Sequence, residues 1–507
     1  MAPPGPHHRT DYSVRVRSWR IAVTVVAVLL FGFIGTIAGP GWNPQPLEET
    51  VVVQTPDVRI GGDVVTEPVG TYETRTETFS VELDGATVDA TVHEPVDAPG
   101  DRPGVIFMHG AGTATHDNFW QITEALASAG VVAMVPDKRM DNYSVRFRDY
   151  PAMARDYMHS WRELAARDGV DPDRVGIYAE SEGAFIAPVA AAENPQVAFV
   201  VLVSAPVVPA REQFALATDT YLRNLGAPEQ LLRAVPRLLG SEIPGGGFVY
   251  ADFDVSPYQQ HMHQPVLMVY GTEDQSMPIV QGPLRVMEDL QQAGNNQYTL
   301  RYFEDANHGI RIDGDLAPGF PQVLARWILG LPETADAQPR VAGGQPEQSF
   351  RADPVASPRW YASGDMIIFT LAAGAGLVLL GPLLWLVTRM VRRPSEKLPA
   401  PLGRSSAALA MSVLGLWVLF FSYLLVVADL AINYETSPWL VQGGWLAIQA
   451  IAIGATAIGV WSATHWLRVR RSGRRTGTVG TITLVGVHVG ALVLLLWAGY
   501  WGVFPTL

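Results

Sequence analysis

Five apolar runs constrain this chain more than any other feature. They cover residues 20–39, 366–388, 405–428, 442–467 and 480–504. Crossing the hydrocarbon core of a bilayer takes about 20 helical residues. Beyond Arg20, which opens the first run, none contains Lys, Arg, Asp or Glu. Helices apolar on every face over such lengths read as membrane spans.

The charges between the runs orient them. Arg9, Arg15, Arg17 and Arg20 precede the first. Arg389, Arg392, Arg393, Lys397 and Arg404 separate the second from the third. Arg468, Arg470, Arg471, Arg474 and Arg475 separate the fourth from the fifth, while 429–441 and 505–507 carry no base. Basic loops stay cytoplasmic. The expected layout is a cytoplasmic N-terminus (1–19), a first span (20–39), and an extracytoplasmic region up to residue 364. A membrane domain of four helices follows (365–507), ending outside. The first run is longer than a signal-peptide core, so it is read as an anchor rather than a cleaved leader, which would leave four spans.

The region between the first two spans is a different kind of protein. Residues 40–364 hold 44 acids and 22 bases, a net of −22, against +9 for the remainder. So acidic a domain is not a nucleic-acid binder. The chain has no cysteine, which excludes disulfides, thiolate nucleophiles and cysteine metal sites. His261-Met262-His263 is a poor metal motif, and no metal or cofactor is expected. Residues 40–76 and 331–364, rich in Pro, Gly and polar residues, read as linkers. Between them, apolar strands at 104–108, 131–135, 174–178, 198–203, 265–270 and 298–303 alternate with helical patterns. A hairpin over 77–83 and 87–93, turning at Asp84-Gly85, precedes them. This implies an α/β fold over 77–330: a mostly parallel sheet covered by helices on both faces. The alternation breaks at 207–262, the place of an inserted helical cap with apolar residues such as Phe214, Leu216, Leu222, Leu225 and Leu231.

Ser181 follows the strand at 174–178 and opens a helix, in Ala179-Glu180-Ser181-Glu182-Gly183. A strand–turn–helix of this kind lifts a serine hydroxyl above the sheet edge, and needs small residues on both sides of the turn. His109-Gly110-Ala111-Gly112 follows the strand at 104–108. The backbone N–H groups of Ala111 and Glu182 are the expected oxyanion hole, with His109 ordering the loop rather than acting as a base. Asp274 and His308 follow the two last strands. The order Ser, Asp, His is that of a hydrolase triad in this architecture: Ser181 attacks, His308 moves the proton, Asp274 orients the imidazole. Glu273 is the neighbouring rival for the acid.

These residues carry a family resemblance. VIFMHGAG, VDPDRVGIYAESEGAFIAPVAA, FVVLVSAP, PVLMVYGTEDQSMP and FEDANHG make residues 77–330 resemble the α/β-hydrolase superfamily. The likeness is greatest to its dienelactone-hydrolase-like and prolyl-oligopeptidase-like serine hydrolases. In that branch a Glu after the nucleophile is common, so Glu182 fits. Ala179, where Gly is common, and Glu180, where His is common, depart from the pattern. Asp137-Lys138-Arg139-Met140 keeps the Asp and Arg of an Asp-x-Arg-Gly turn but not its Gly. Glu182 is placed to complement the dipole of the following helix. For Glu180, pairing with an arginine and disfavouring anionic substrates both stay open. The resulting expectation is a membrane-integrated, extracytoplasmic serine hydrolase acting on a small-molecule or lipid-like ester, possessing no cofactor. A hydrolase-like sensor or scaffold that binds without turnover is the competing reading.

Overall fold

The structure is a computed structural model that describes residues 6–38, 42–240, 247–391, 398–433, 435–474 and 476–505. Arg392, Arg393, Lys397 and Arg475, used above for orientation, lie outside the described residues. The strands are β1 (Thr74–Leu83), β2 (Ala86–Pro95), β3 (Arg102–Met108), β4 (Val132–Pro136), β5 (Val170–Glu180), β6 (Val200–Val203), β7 (Val266–Gly271), β8 (Tyr298–Phe303), β9 (Arg311–Ile312), β10 (Asp315–Leu316) and β11 (Val341–Gly343). The helices are α1 (Pro6–Ala38), α2 (Trp120–Ser128), α3 (Tyr150–Ala165), α4 (Gly183–Glu193), α5 (Ala210–Asn224), α6 (Glu229–Gly240), α7 (Ser256–Gln259), α8 (Gln281–Gln292), α9 (Phe320–Leu329), α10 (Gly364–Met390), α11 (Ala400–Ile432), α12 (Gly444–Arg471) and α13 (Thr478–Tyr500).

The chain divides into two units. One holds Pro44–Ala217 and Gly247–Pro354, the other Met1–Asn43, Thr218–Gly246 and Val355–Leu507. The first is built on a nine-stranded sheet of order β1-β2-β4-β3-β5-β6-β7-β8-β11. β1 and β2 form an antiparallel hairpin whose register closes at Leu83↔Ala86, leaving Asp84-Gly85 as the turn. From β4 to β11 the neighbours run parallel. Successive side chains of a strand point to opposite faces. Met108, Ile177, Ala179, Leu202 and Met268 thus join one core with α3, α4 and α8. Phe107, Tyr178, Val201, Val203 and Val269 join another with α2 and α9. A sheet covered on both faces is why the strands read as continuous apolar runs.

Two readings of the sequence need correction here. The supposed linkers are largely part of the sheet unit. Val51 and Ile60 are buried, and 341–343 add β11 to the sheet edge beside β8. Arg301 on β8, fully buried, fastens both segments. It donates to the carbonyl oxygens of Val58, Arg59, Leu300, Pro339 and Arg340 at 2.8–3.3 Å. These segments are irregular chain held by their carbonyls, so they lack the alternation that marks a strand. The cap also divides. Thr218–Gly246, with the end of α5 and all of α6, belongs to the second unit. There Leu222, Leu225 and Leu231 enter the same apolar core as Trp417, Trp445 and Leu494.

Among the described residues of that second unit, five helices are long and apolar enough to cross a membrane. They pack closely where side chains are smallest. A Cβ on Gly490 of α13 would lie 2.4 Å from the Gly374 carbonyl oxygen of α10. One on Gly35 of α1 would lie 2.3 Å from that of Gly499. Small residues let helix backbones approach where no hydrophobic force separates lipid from neighbour. Gly454 and Gly459 of α12 meet no neighbouring backbone.

Arg301→Ala would remove the donor that ties buried and half-buried carbonyls of both segments to β8. It is expected to destabilise the sheet unit by about 3 kcal/mol, lowering its melting midpoint by about 6–12 °C. Lysine is not expected to rescue, since one ammonium cannot reach both segments. Thermal unfolding of the detergent-purified chain, followed by tryptophan fluorescence, checks this.

Candidate active site

β5 ends at Glu180, and α4 begins at Gly183. Reversing direction in two residues forces Ser181 into the left-handed region, with φ 55°. Its amide donates to the Val203 carbonyl of β6 at 2.9 Å, and its own carbonyl accepts from the Ala184 amide at 2.9 Å. The turn presses on β3: a Cβ at Gly183 would lie 2.6 Å from the Met108 carbonyl oxygen. Ala179 is an ordinary strand residue, buried without conflict and paired with Met108 and Leu202. Its methyl therefore fits where the commoner motif has glycine.

Asp274 and His308 meet. The imidazole Nδ1 is 2.9 Å from Asp274 Oδ2, and the carboxylate side chain is fully buried. Asp274 Oδ1 accepts from the amide and hydroxyl of Ser276 at 2.9 and 2.8 Å. Burial opposes the Asp274 charge, but the imidazole and these hydrogen bonds hold its carboxyl below the usual carboxylate value. Glu273, the rival, is exposed. The loop bearing His308 is tied to the sheet: Ser204, at the end of β6, donates to the His308 carbonyl at 2.6 Å. Burial pulls the His308 pKa down, yet the Asp274 charge and hydrogen bond, joined by Glu180, leave it above the ordinary histidine value. With the Nδ1 proton directed at Asp274, Nε2 is left as the basic nitrogen. Ser181 Oγ makes no hydrogen bond to it in this conformation; such contacts often tighten only when substrate binds.

The loop at 109–112 adjoins the serine. A Cβ on Gly110 would be 3.2 Å from Ser181 Cβ. His109 Nε2 bonds the Pro136 carbonyl at 2.8 Å, and burial depresses its pKa to about 4. It is a neutral, loop-ordering group. Among the described residues, neither the Ala111 amide nor the Glu182 amide has an acceptor.

The two flanking glutamates take separate paths. Glu180 accepts from the Tyr178 hydroxyl at 3.1 Å and forms no arginine ion pair among the described residues. Burial raises its pKa. Tyr178 and Glu180 project from β5 on the side whose core includes Ala306 and Ile310 of the histidine loop. Glu182 makes no capping bond to its helix. Its carboxylate is buried with Lys138 (3.0 Å), Arg148 (2.6 Å) and the Tyr143 hydroxyl (2.9 Å). Sequence reasoning missed this cluster. Its one signal was Asp137-Lys138-Arg139 at the end of β4, where Lys138 and not Arg139 turns inward.

Residues 118–325 match the sequence profile of the prolyl oligopeptidase family, a range that includes Ser181, Asp274 and His308 but not the loop at 109–112. The sheet unit is an α/β-hydrolase domain. No curated protein matches the chain. Among solved structures, the sheet unit is similar to dienelactone hydrolase from Anabaena variabilis (18% identity, 51% of this chain, 97% of that one, TM-score 0.35). It is similar also to a hyperthermophilic esterase from Pyrobaculum calidifontis (19%, 52% and 85%, TM-score 0.35). A third is Pyrococcus horikoshii acylaminoacyl peptidase (15%, 55% and 43%, TM-score 0.38).

The elbow gives a sharp steric test. Gly183→Val drives a branched side chain into the β3 backbone. It is expected to lower the melting midpoint and abolish labelling by a serine-directed fluorophosphonate. Ala179→Gly, which only frees the backbone, should cost no more than about 1 kcal/mol and keep the labelling.

Proposed function

We propose that this chain is an integral membrane serine hydrolase that cleaves an ester, thioester or amide outside the cytoplasm. The observation that carries the reading is the Asp274–His308 hydrogen bond at 2.9 Å beside a serine held at φ 55°. Ser181 attacks the acyl carbonyl while His308 Nε2 takes its proton. The proton then passes to the leaving group, and water releases the acyl-enzyme by the same route. Asp274 keeps the imidazole in the required tautomer and stabilises its cation. The amides of Ala111 and Glu182 receive the negative charge of the tetrahedral intermediate.

An ester is favoured over a peptide. Only a short segment separates α1 from β1, leaving no room for a large domain that would select peptides by size. A membrane setting suits lipid-like esters, and the basic loops favour an extracytoplasmic active site. The apolar residues of α5 and α6 lend no support to an acyl pocket, because Leu222, Leu225 and Leu231 are consumed in packing with the helical unit.

A fluorophosphonate probe is expected to label the wild type and not Ser181→Ala, with hydrolysis of p-nitrophenyl esters lost in parallel. Equal labelling of the two would sink the assignment.

The pH profile tests the imidazole. Hydrolysis requires neutral His308, so kcat/KM rises with pH through its pKa in the free enzyme. Glu180 and Asp274 both raise that pKa. Glu180→Gln removes one of the two carboxylates, so the acid limb should move to lower pH, and the plateau should fall as the imidazolium loses a stabilising charge. A limb that stays in place would show that Glu180 does not act on His308.

A further inference from the structure

The best-determined unassigned group in the domain is the ammonium of Lys138. Its side chain is 1% exposed. Nζ donates to the Gly110 carbonyl at 2.6 Å and to Glu182 Oε2 at 3.0 Å. Those two acceptors belong to the two sides of the oxyanion hole. The Gly110 carbonyl and the Ala111 N–H are opposite ends of one planar trans peptide, so fixing the oxygen aims the hydrogen the other way. Drawing electron density from that oxygen also makes the N–H a better donor. The Glu182 carboxylate anchors the residue whose own amide is the second donor.

The rest of the loop is pinned to the same β4 terminus. His109 Nε2 bonds the Pro136 carbonyl at 2.8 Å, and the Lys138 amide donates to the Ala114 carbonyl at 2.8 Å. Asp137 Oδ1 accepts from the His116 amide and Nδ1 at 2.6 and 2.8 Å. Ala111 to Thr113 form the stretch left between these fastenings. On the other side, Arg148 and Tyr143 hold Glu182 against Lys138, and the ammonium stands 4.6 Å from the Tyr143 ring centroid.

We propose that Lys138 is a positioning residue for the oxyanion hole, setting the direction of the Ala111 amide and its spacing from the Glu182 amide. This rests on the assignment of Ser181 as nucleophile. A buried ammonium is costly to desolvate, and one shared by a catalytic-loop carbonyl and the residue after the serine has a use beyond joining two loops. Removing it leaves Glu182 with Arg148 and Tyr143, so no carboxylate is orphaned.

Lys138→Met keeps the length of the side chain and removes the ammonium; Lys138→Arg keeps a donor at altered reach. Each is compared with wild type and Ser181→Ala in detergent, using the rate of fluorophosphonate labelling. The steady-state hydrolysis of p-nitrophenyl acetate and of its thionoester (C=S for C=O) is measured beside it. A hole built for oxygen discriminates against the larger, weakly accepting sulfur, so the ester-to-thionoester ratio reports its geometry. For Lys138→Met we expect an unchanged melting midpoint, KM within about threefold, and kcat and labelling slower by about 10–100-fold, with the ratio reduced in step. Lys138→Arg should fall between Met and wild type, and carries the test if Lys138→Met does not fold. Wild-type rates in the folded variants, or ester and thionoester falling equally, overturn the proposal while leaving Ser181 as nucleophile. A wild type that the probe does not label overturns both.

Discussion

A serine held in the left-handed region is the constraint on which the site depends. A branched or polar L-residue at φ 55° carries about 1–3 kcal/mol of local strain. The turn persists because two strands and a helix hold it. β6 accepts the Ser181 amide, β3 blocks any side chain at Gly183, and the first turn of α4 captures the Ser181 carbonyl. Such strain cannot relax without breaking the parallel pairing of β3, β5 and β6, whose side chains fill both cores. Local geometry at one residue is thus maintained by the global sheet.

Most of this sheet was legible. Strands buried on both faces appear as uninterrupted apolar runs, and β3, β5, β7 and β8 run into the loops that carry His109, Ser181, Asp274 and His308. The hairpin turn at Asp84-Gly85 needed only its glycine. β11 was not legible: three residues, two of them buried and one a glycine, have no period to detect. It pairs because Arg301 gathers the chain around it, and an arginine inside a strand gives no sign of which carbonyls it will meet. The cap was read as one insertion because its helical patterns are continuous in sequence. Its division reflects which apolar neighbours each half finds, a tertiary property. The Asp–His pair was visible from strand order alone, whereas the Lys138–Glu182–Arg148 cluster joins residues dozens of positions apart through side-chain length.

Two carboxylates beside a serine would oppose the proposed reaction, which places negative charge on an oxyanion, if both faced it. The structure separates them. Glu182 is held by two cations and a phenol, so that side of the elbow carries a net positive charge. Glu180 lies on the opposite path of the strand, where the Tyr178 hydroxyl and the field of the imidazole receive it. A negative group there favours an imidazolium, the state His308 reaches in the proposed mechanism as it takes a proton. Position therefore decides whether an acid near a nucleophile opposes or assists.

The same logic explains why one glycine of the elbow can be lost and the other cannot. Ala179 lies in regular strand, and its methyl fills space inside a core that would otherwise have to close around a glycine. Position 183 begins the helix at the point where the reversed chain passes the β3 carbonyls, at a distance that admits no Cβ. A consensus motif scores the two positions alike. The steric demand falls on the second alone, because the strand is already at a normal inter-strand spacing when it passes residue 179, and the close approach arises only after the left-handed turn.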